Sequence, residues 1–246
     1  MSAPVAVSAA ADGVVTITLD RAERGNALSA DFVEALIGTF GRAVADASVN
    51  TVVFRASGRH FCTGFDLSEL DAETDATLLW RFVRIETLLD MVWRAPVRTV
   101  AIGQGRIMGA GADLFAACDL RLLAPGASLR FPGAGFGIVL GTRRLARRVG
   151  EATALRWVSE ATTVGADEAA AAGLASAVLT VGPGQAGSDA LAPVTVDRRT
   201  WAGLRAAIAD GESDADLAAL VRSAARPGLK ARIEAYRERQ LGAQGR

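Results

Sequence analysis

The chain has 246 residues, half of them apolar, with 27 basic and 27 acidic side chains and no net charge. That length suits one large core, or a core with a small appendage, and a neutral chain without a basic block gives no footing for nucleic acid. Two cysteines outside any metal-ligand spacing, Cys62 and Cys118, and a single histidine, His60, argue against a disulfide framework, a zinc site and a Ser-His-Asp triad, and point to a reducing compartment.

The N-terminus, MSAPVAVSAAADG, has neither the basic start nor the long apolar core of a signal peptide. Val14–Leu19 (VVTITL) alternates β-branched and apolar residues and predicts a strand. A polar turn follows over 20–26. Ser29 suits the N-cap of a helix running to Asp46, with Phe32, Val33, Leu36, Ile37, Phe40 and Val44 at helical spacing. Thr51–Ala56 (TVVFRA) is the next expected strand, and it runs into a glycine-punctuated loop. The acidic stretch 69–77 reads as a mobile loop or a ragged helix start; 78–93 has the helical period, closed by Pro96.

An apolar strand over 97–102 then feeds the glycine-dense stretch 103–120, which opens into a small-residue helix carrying Asp113. Glycine lets a ligand approach the backbone, and the first N–H groups of a helix have no partner inside it. The stretch therefore suits a reaction that builds negative charge on oxygen, although turns of this kind also serve close packing alone. It is not a dinucleotide fingerprint: after Gly103 and Gly105 the next glycine, Gly109, comes one residue late for G-x-G-x-x-G. No P-loop motif occurs anywhere. A dinucleotide oxidoreductase is the outside alternative, and the failed glycine spacing argues against it.

Leu120–Leu123 is short and apolar, and 130–141 holds Pro132 and four glycines. Helices are expected at Thr142–Val149, 152–158 and 167–172, a surface loop at 182–193, and three amphipathic helices at 198–208, 214–225 and 229–240. The uncharged run 169–188 is long enough for a bilayer, but it is mostly alanine and glycine and is broken by G-P-G, so it reads as helix end, strand and loop. The expected organisation is an α/β core over 1–195 and a helical region over 196–246, in a cytoplasmic protein that contacts no membrane. Apolar stripes on the tail helices call for an oligomeric partner.

Three motifs in order carry a resemblance: R-A-E-R-G-N-A-L-S (21–29), G-R-H-F-C-T-G-F-D-L (58–67) and G-x-x-M-G-A-G-A-D-L ending in C-D-L (105–120). With L-K-A-R-I-E-A-Y-R-E-R at 229–239, the chain resembles the enoyl-CoA hydratase/isomerase (crotonase) superfamily. The resemblance implies a spiral of ββα units, a C-terminal helical trimerisation region, and a homotrimer or dimer of trimers. It implies an acyl-CoA thioester as substrate, with CoA carried by that substrate and no metal or other cofactor. It implies stabilisation of a thioester enolate by two backbone N–H groups, which by motif match are those of Phe65 and Ala110. The backbone of Gly64, Phe65, Asp66, Leu67 and Ser68 would accept the adenine end of CoA. Arg24 either meets the CoA phosphates or is a solvated turn arginine.

The sequence also departs from that family. A family hydratase sets two glutamates about an activated water. The first position here is Asp113, one methylene shorter; the second is Gly133, after Pro132, and no carboxylate occurs between Asp119 and Glu151. The family's P-G-x-G-G turn is cut down to V-L-G-T-R-R-L over 139–145. Asp113 is then the surviving acid/base, with burial expected to raise its pKa. His60, Glu69, Glu86 and Asp90 are the candidate replacements for the second acid, each weighed below a solvated or packing role. The leading expectation is a hydratase/isomerase-type enzyme lacking one carboxylate. The alternatives are another CoA-thioester reaction, decarboxylation or thioester hydrolysis, and a non-catalytic acyl-CoA-binding subunit.

Overall fold

The structure is a computed structural model describing residues 4–9, 12–180, 194–209 and 213–244. The expected surface loop at 182–193 lies outside the described residues, and so does the end of the uncharged run. The main sheet has six strands in the order β1-β2-β3-β4-β6-β9. These are β1 (Val5–Ala9), β2 (Val14–Leu19), β3 (Thr51–Ala56), β4 (Arg98–Gly103), β6 (Leu120–Leu123) and β9 (Ala177–Val178). β1 runs antiparallel to β2, and every later pairing is parallel. A second sheet of β5 (Arg106–Met108), β7 (Ser128–Arg130) and β8 (Val164–Gly165) lies beside it.

Sequence period explains the best-formed elements. In β2, Val15, Ile17 and Leu19 are buried while Thr16 and Thr18 are half-buried, the two-residue period of a strand with one face on a core. The helix α1 (Ala30–Ala45) is capped by Ser29, whose Oγ accepts from Phe32 N–H at 3.3 Å. It buries Phe32, Leu36 and Phe40 against the sheet, each contributing about 1.5–3 kcal/mol.

The second long helix corrects the expectation for 69–77. A short 3-10 helix, Leu70–Ala72, is followed by α2 (Asp75–Trp93), which starts ahead of Leu78. Thr74 and Thr77 cap it reciprocally: Thr77 N–H donates to Thr74 Oγ1 (3.2 Å), and Thr74 N–H donates to Thr77 Oγ1 (2.8 Å). The helix α3 (Ala110–Ala117), packed against α2 and β5, is buried along its whole length. The helices α4 (Thr142–Val149), α5 (Glu151–Ser159) and α6 (Ala166–Ala171) follow.

The C-terminal helices α7 (Arg198–Ala209), α8 (Ser213–Ala224) and α9 (Leu229–Gln244) do not all stand apart from the core. Leu220, Ala224, Leu229 and Ile233 pack with Leu70, Leu78, Phe82 and Ile138 in one cluster. Part of the apolar surface that sequence alone would assign to a partner is thus covered by the chain itself. Leu204 and Ile208 on α7 and Leu241 on α9 stay exposed. No helix among the described residues is long and apolar enough to cross a membrane.

Candidate active site

The two glycine loops expected to carry chemistry meet in space. Leu28 and Phe65 form an isolated parallel bridge. In it Leu28 N–H donates to Gly64 O (2.8 Å) and Asp66 N–H donates to Leu28 O (3.2 Å). Both bonds leave the chain on one side, so the Phe65 N–H between them points to the other, and it enters no backbone hydrogen bond among the described residues. Gly64 has φ +95°, and a Cβ there would stand 2.8 Å from Met108 O. Only glycine fits that approach. Gly109 caps α3, so Ala110 N–H is the first of the helix and has no acceptor within it.

A clamp holds this loop. Arg81 of α2 donates from Nη2 to Asp66 O (2.9 Å) and Leu28 O (3.3 Å), and its Nη1 meets Glu73 at 2.7 Å. Its guanidinium lies 4.0 Å from the centroid of the Phe65 ring, which stacks on Phe82 at 4.5 Å.

A cavity of about 580 Å³ opens at this junction. Its wall includes Gly64, Phe65, Gly109, Ala110, Asp113, Pro132 and Gly133, and it is closed by Ile233, Tyr236 and Gln240 of α9. Among the described residues Asp113 is its one lining carboxyl group. Burial pushes that carboxyl well above its ordinary range, the Glu86 charge adds to the rise, and Arg144 opposes it. Gly141 lies so close that a Cβ there would overlap Asp113 Oδ1.

Behind Asp113 sits a buried ionic cluster. Arg144 donates to both oxygens of Glu86, at 2.6 and 3.1 Å, and approaches Asp90 at 3.4 Å and Asp216 at 3.5 Å. Burial raises the Glu86 carboxyl above its ordinary value despite the opposing pull of Arg144. Glu86 and Asp90, candidates for the missing acid, are therefore bound to Arg144 and line none of the cavity. Glu69 is exposed elsewhere. His60 accepts from Arg106 N–H at 3.1 Å and is also off the cavity wall; burial first, then Arg106 and Arg59, lower its pKa.

The residues expected to meet CoA divide. Gly64 and Leu67 line the cavity, whereas Asp66, Ser68 and Arg24 do not. The Asp66 carboxylate is turned inward onto Arg21 (3.3 Å) and Ser68 N–H (2.9 Å). Burial pushes its pKa up, but these bonds outweigh burial and leave it below its ordinary value. Ser68 is exposed, and Arg24 is exposed on a short 3-10 helix, Ala22–Arg24. Arg106, Arg130 and Tyr236 line the cavity without having been singled out from the sequence. For the two arginines a period-two pattern across 106–108 and 128–130 was the only signal, and three-residue strands are too short to display one; Tyr236 reaches the cavity only through the packing of α9.

Fold and cavity together define an α/β protein with one buried acid in a glycine-lined cavity. Residues 9–184 match the Enoyl-CoA hydratase/isomerase family. The chain is 35% identical over 179 residues to the "Probable enoyl-CoA hydratase echA6" of Mycobacterium tuberculosis, covering 72% of this chain and 71% of that one. It is 32% identical over 177 residues to a Bacillus subtilis protein named "Probable enoyl-CoA hydratase", covering 70% and 68%. A crystal structure from Bordetella parapertussis, described as an enoyl-CoA hydratase/isomerase, superposes with TM-score 0.90 at 43% identity over 96% of this chain and 98% of that one. The chain belongs to the enoyl-CoA hydratase/isomerase family of acyl-CoA enzymes.

Proposed function

We propose that the Phe65 and Ala110 N–H groups hold the thioester oxygen of an acyl-CoA enolate, and that Asp113 moves the proton without a second carboxylate. The observation carrying this reading is that Phe65, Ala110, Asp113 and Gly133 line one cavity, with Asp113 the sole lining acid among the described residues. Peptide donors fixed on a developing oxyanion contribute about 3–4 kcal/mol each.

Burial and the nearby Glu86 charge favour the neutral, protonated form of Asp113 over the carboxylate. A neutral carboxyl can accept with one oxygen and donate from the other. In a hydration, water's oxygen bonds to the β-carbon and its proton passes to Asp113, while the Asp113 O–H proton passes to the α-carbon. The carboxyl ends as it began. One acid then covers work that family hydratases divide, and the missing group at Gly133 should slow turnover by about 10²–10⁴-fold. A neutral donor also suits enolates made by carbon–carbon cleavage, and this favours decarboxylation as the second reading.

CoA arrives as part of the substrate, with no other cofactor in this reaction. Gly64 and Leu67 on the wall, and exposed Ser68 and Arg24 on the flanking loops, support a CoA path along 64–68 with Arg24 at the phosphates. Asp66 shapes that path through Arg21 and does not itself bind CoA with its carboxylate. The exposed Leu204, Ile208 and Leu241 support assembly as a homotrimer or dimer of trimers through the C-terminal helices.

The test is hydration of a short enoyl-CoA, followed by loss of the conjugated thioester absorbance. Slow turnover is expected, falling at least ~10²-fold in Asp113→Asn with thioester binding retained. Unchanged turnover in that variant removes Asp113 from the chemistry.

A further inference from the structure

The polar end of the cavity is built by the small sheet. β5 and β7 pair in parallel, with Arg106 opposite Ser128 and Met108 opposite Arg130. Side chains alternate along a strand. Ile107 and Leu129 turn into the core at 0% exposure, while Arg106, Met108, Ser128 and Arg130 share the face that lines the cavity. Arg130 is half-buried. Its Nε donates to Ala161 O at 2.7 Å, and among the described residues it has no carboxylate partner. A half-buried guanidinium facing a cavity without a carboxylate beside it is placed to meet an anionic group there.

Arg130 also lies near a second donor. Tyr236 packs its ring on Phe136, with centroids 5.1 Å apart, and lines the same cavity. Burial lifts its phenol above the ordinary value, and the charges of Arg130 and Arg239 pull it back. Gly133, three residues beyond Arg130, leaves open space: a Cβ there would meet nothing nearer than Ile138 O at 3.7 Å. The wall is continuous with the proposed enolate site, because Gly109 N–H donates to Arg130 O at 2.8 Å.

We infer that the cavity selects an acyl-CoA whose short acyl group ends in a carboxylate, received by Arg130 with the Tyr236 hydroxyl as a neighbouring donor. The inference rests on the acyl-CoA reading above. Glycine at position 133 favours such a substrate twice, by leaving room and by omitting a negative charge that would repel it. An arginine here could instead serve the CoA phosphates, so the test must separate the two anions.

The experiment is calorimetric binding of glutaryl-CoA, pentanoyl-CoA and free CoA to the wild-type protein, Arg130→Met and Arg130→Lys. The two thioesters have equal carbon counts and differ in the terminal carboxylate. Wild type should bind glutaryl-CoA about tenfold more tightly than pentanoyl-CoA, the return on one charge-assisted contact. Arg130→Met should erase that preference and leave pentanoyl-CoA and CoA binding unchanged, and Arg130→Lys should restore part of it. Equal affinity of the two thioesters for wild type overturns the inference without any variant. So does a preference that survives Arg130→Met, or an equal weakening of all three ligands, which would put Arg130 on the phosphates. Failure of all three to bind wild type would instead overturn the acyl-CoA reading itself.

Discussion

At Asp113 burial and charge act in the same direction. Desolvation raises the carboxyl and the Glu86 charge raises it further, against the opposing Arg144. A step that uses neutral Asp113 is available below its pKa and is lost as pH rises through it. Removing the Glu86 charge lowers that pKa, so in Glu86→Gln the loss of turnover should set in at lower pH than in wild type. The pH profile of kcat/KM checks this, and an unshifted descending limb would show that Glu86 does not act on Asp113. The same change weakens a buried two-bond ion pair with Arg144. Arg144 keeps Asp90 and Asp216 nearby, so destabilisation should be at the low end for such pairs, about 3 kcal/mol. Asp113 was legible in the sequence because it falls three residues after Ala110 in a recognisable motif. The environment that sets its proton was not, because Glu86 and Arg144 come from separate helices 58 residues apart in the chain.

At the scale of elements, α2 does more than cover the sheet. It supplies Arg81 to the Phe65 loop, Phe82 to the Phe65 ring, and Glu86 to the cluster behind Asp113. Arg81 bonds the carbonyls of Asp66, next after Phe65, and of Leu28, its partner in the bridge, so its expected effect on catalysis is by positioning. Arg81→Met should lower kcat by roughly tenfold or more, since small displacements of a catalytic group carry large penalties, and should leave KM little changed. Steady-state kinetics on an enoyl-CoA distinguish this from a KM effect alone, which would place Arg81 in binding. The start of α2 escaped the sequence because a Thr-x-x-Thr box lacks the acidic or amide third residue of the usual signature. The strands β5, β7 and β8 escaped because two or three residues cannot show a period and exist only through their pairing; β9 falls in the run 169–188 that was read as helix end, strand and loop. The longer β2, β3 and α1 were legible for the opposite reason.

At the scale of the molecule, the cavity is assembled from segments far apart in the chain: 63–67, 106–113, 128–142 and the final helix. Motif order pointed to two of these walls. It could not show that Tyr236 and Ile233 of α9 close the same space, since that depends on α8 and α9 folding back over Phe82 and Ile138. The central claim is that this enclosed site makes and protonates a thioester enolate, whatever reaction it serves. Exchange of the α-protons of butyryl-CoA in D2O, read by mass spectrometry, tests it most directly. Exchange uses ionised Asp113 as the base, so its rate should grow as pH rises. Wild type should install deuterium at the α-carbon well above the buffer rate, and Asp113→Asn should abolish that exchange while still binding the thioester. Absence of exchange in a wild-type protein saturated with butyryl-CoA would contradict the claim.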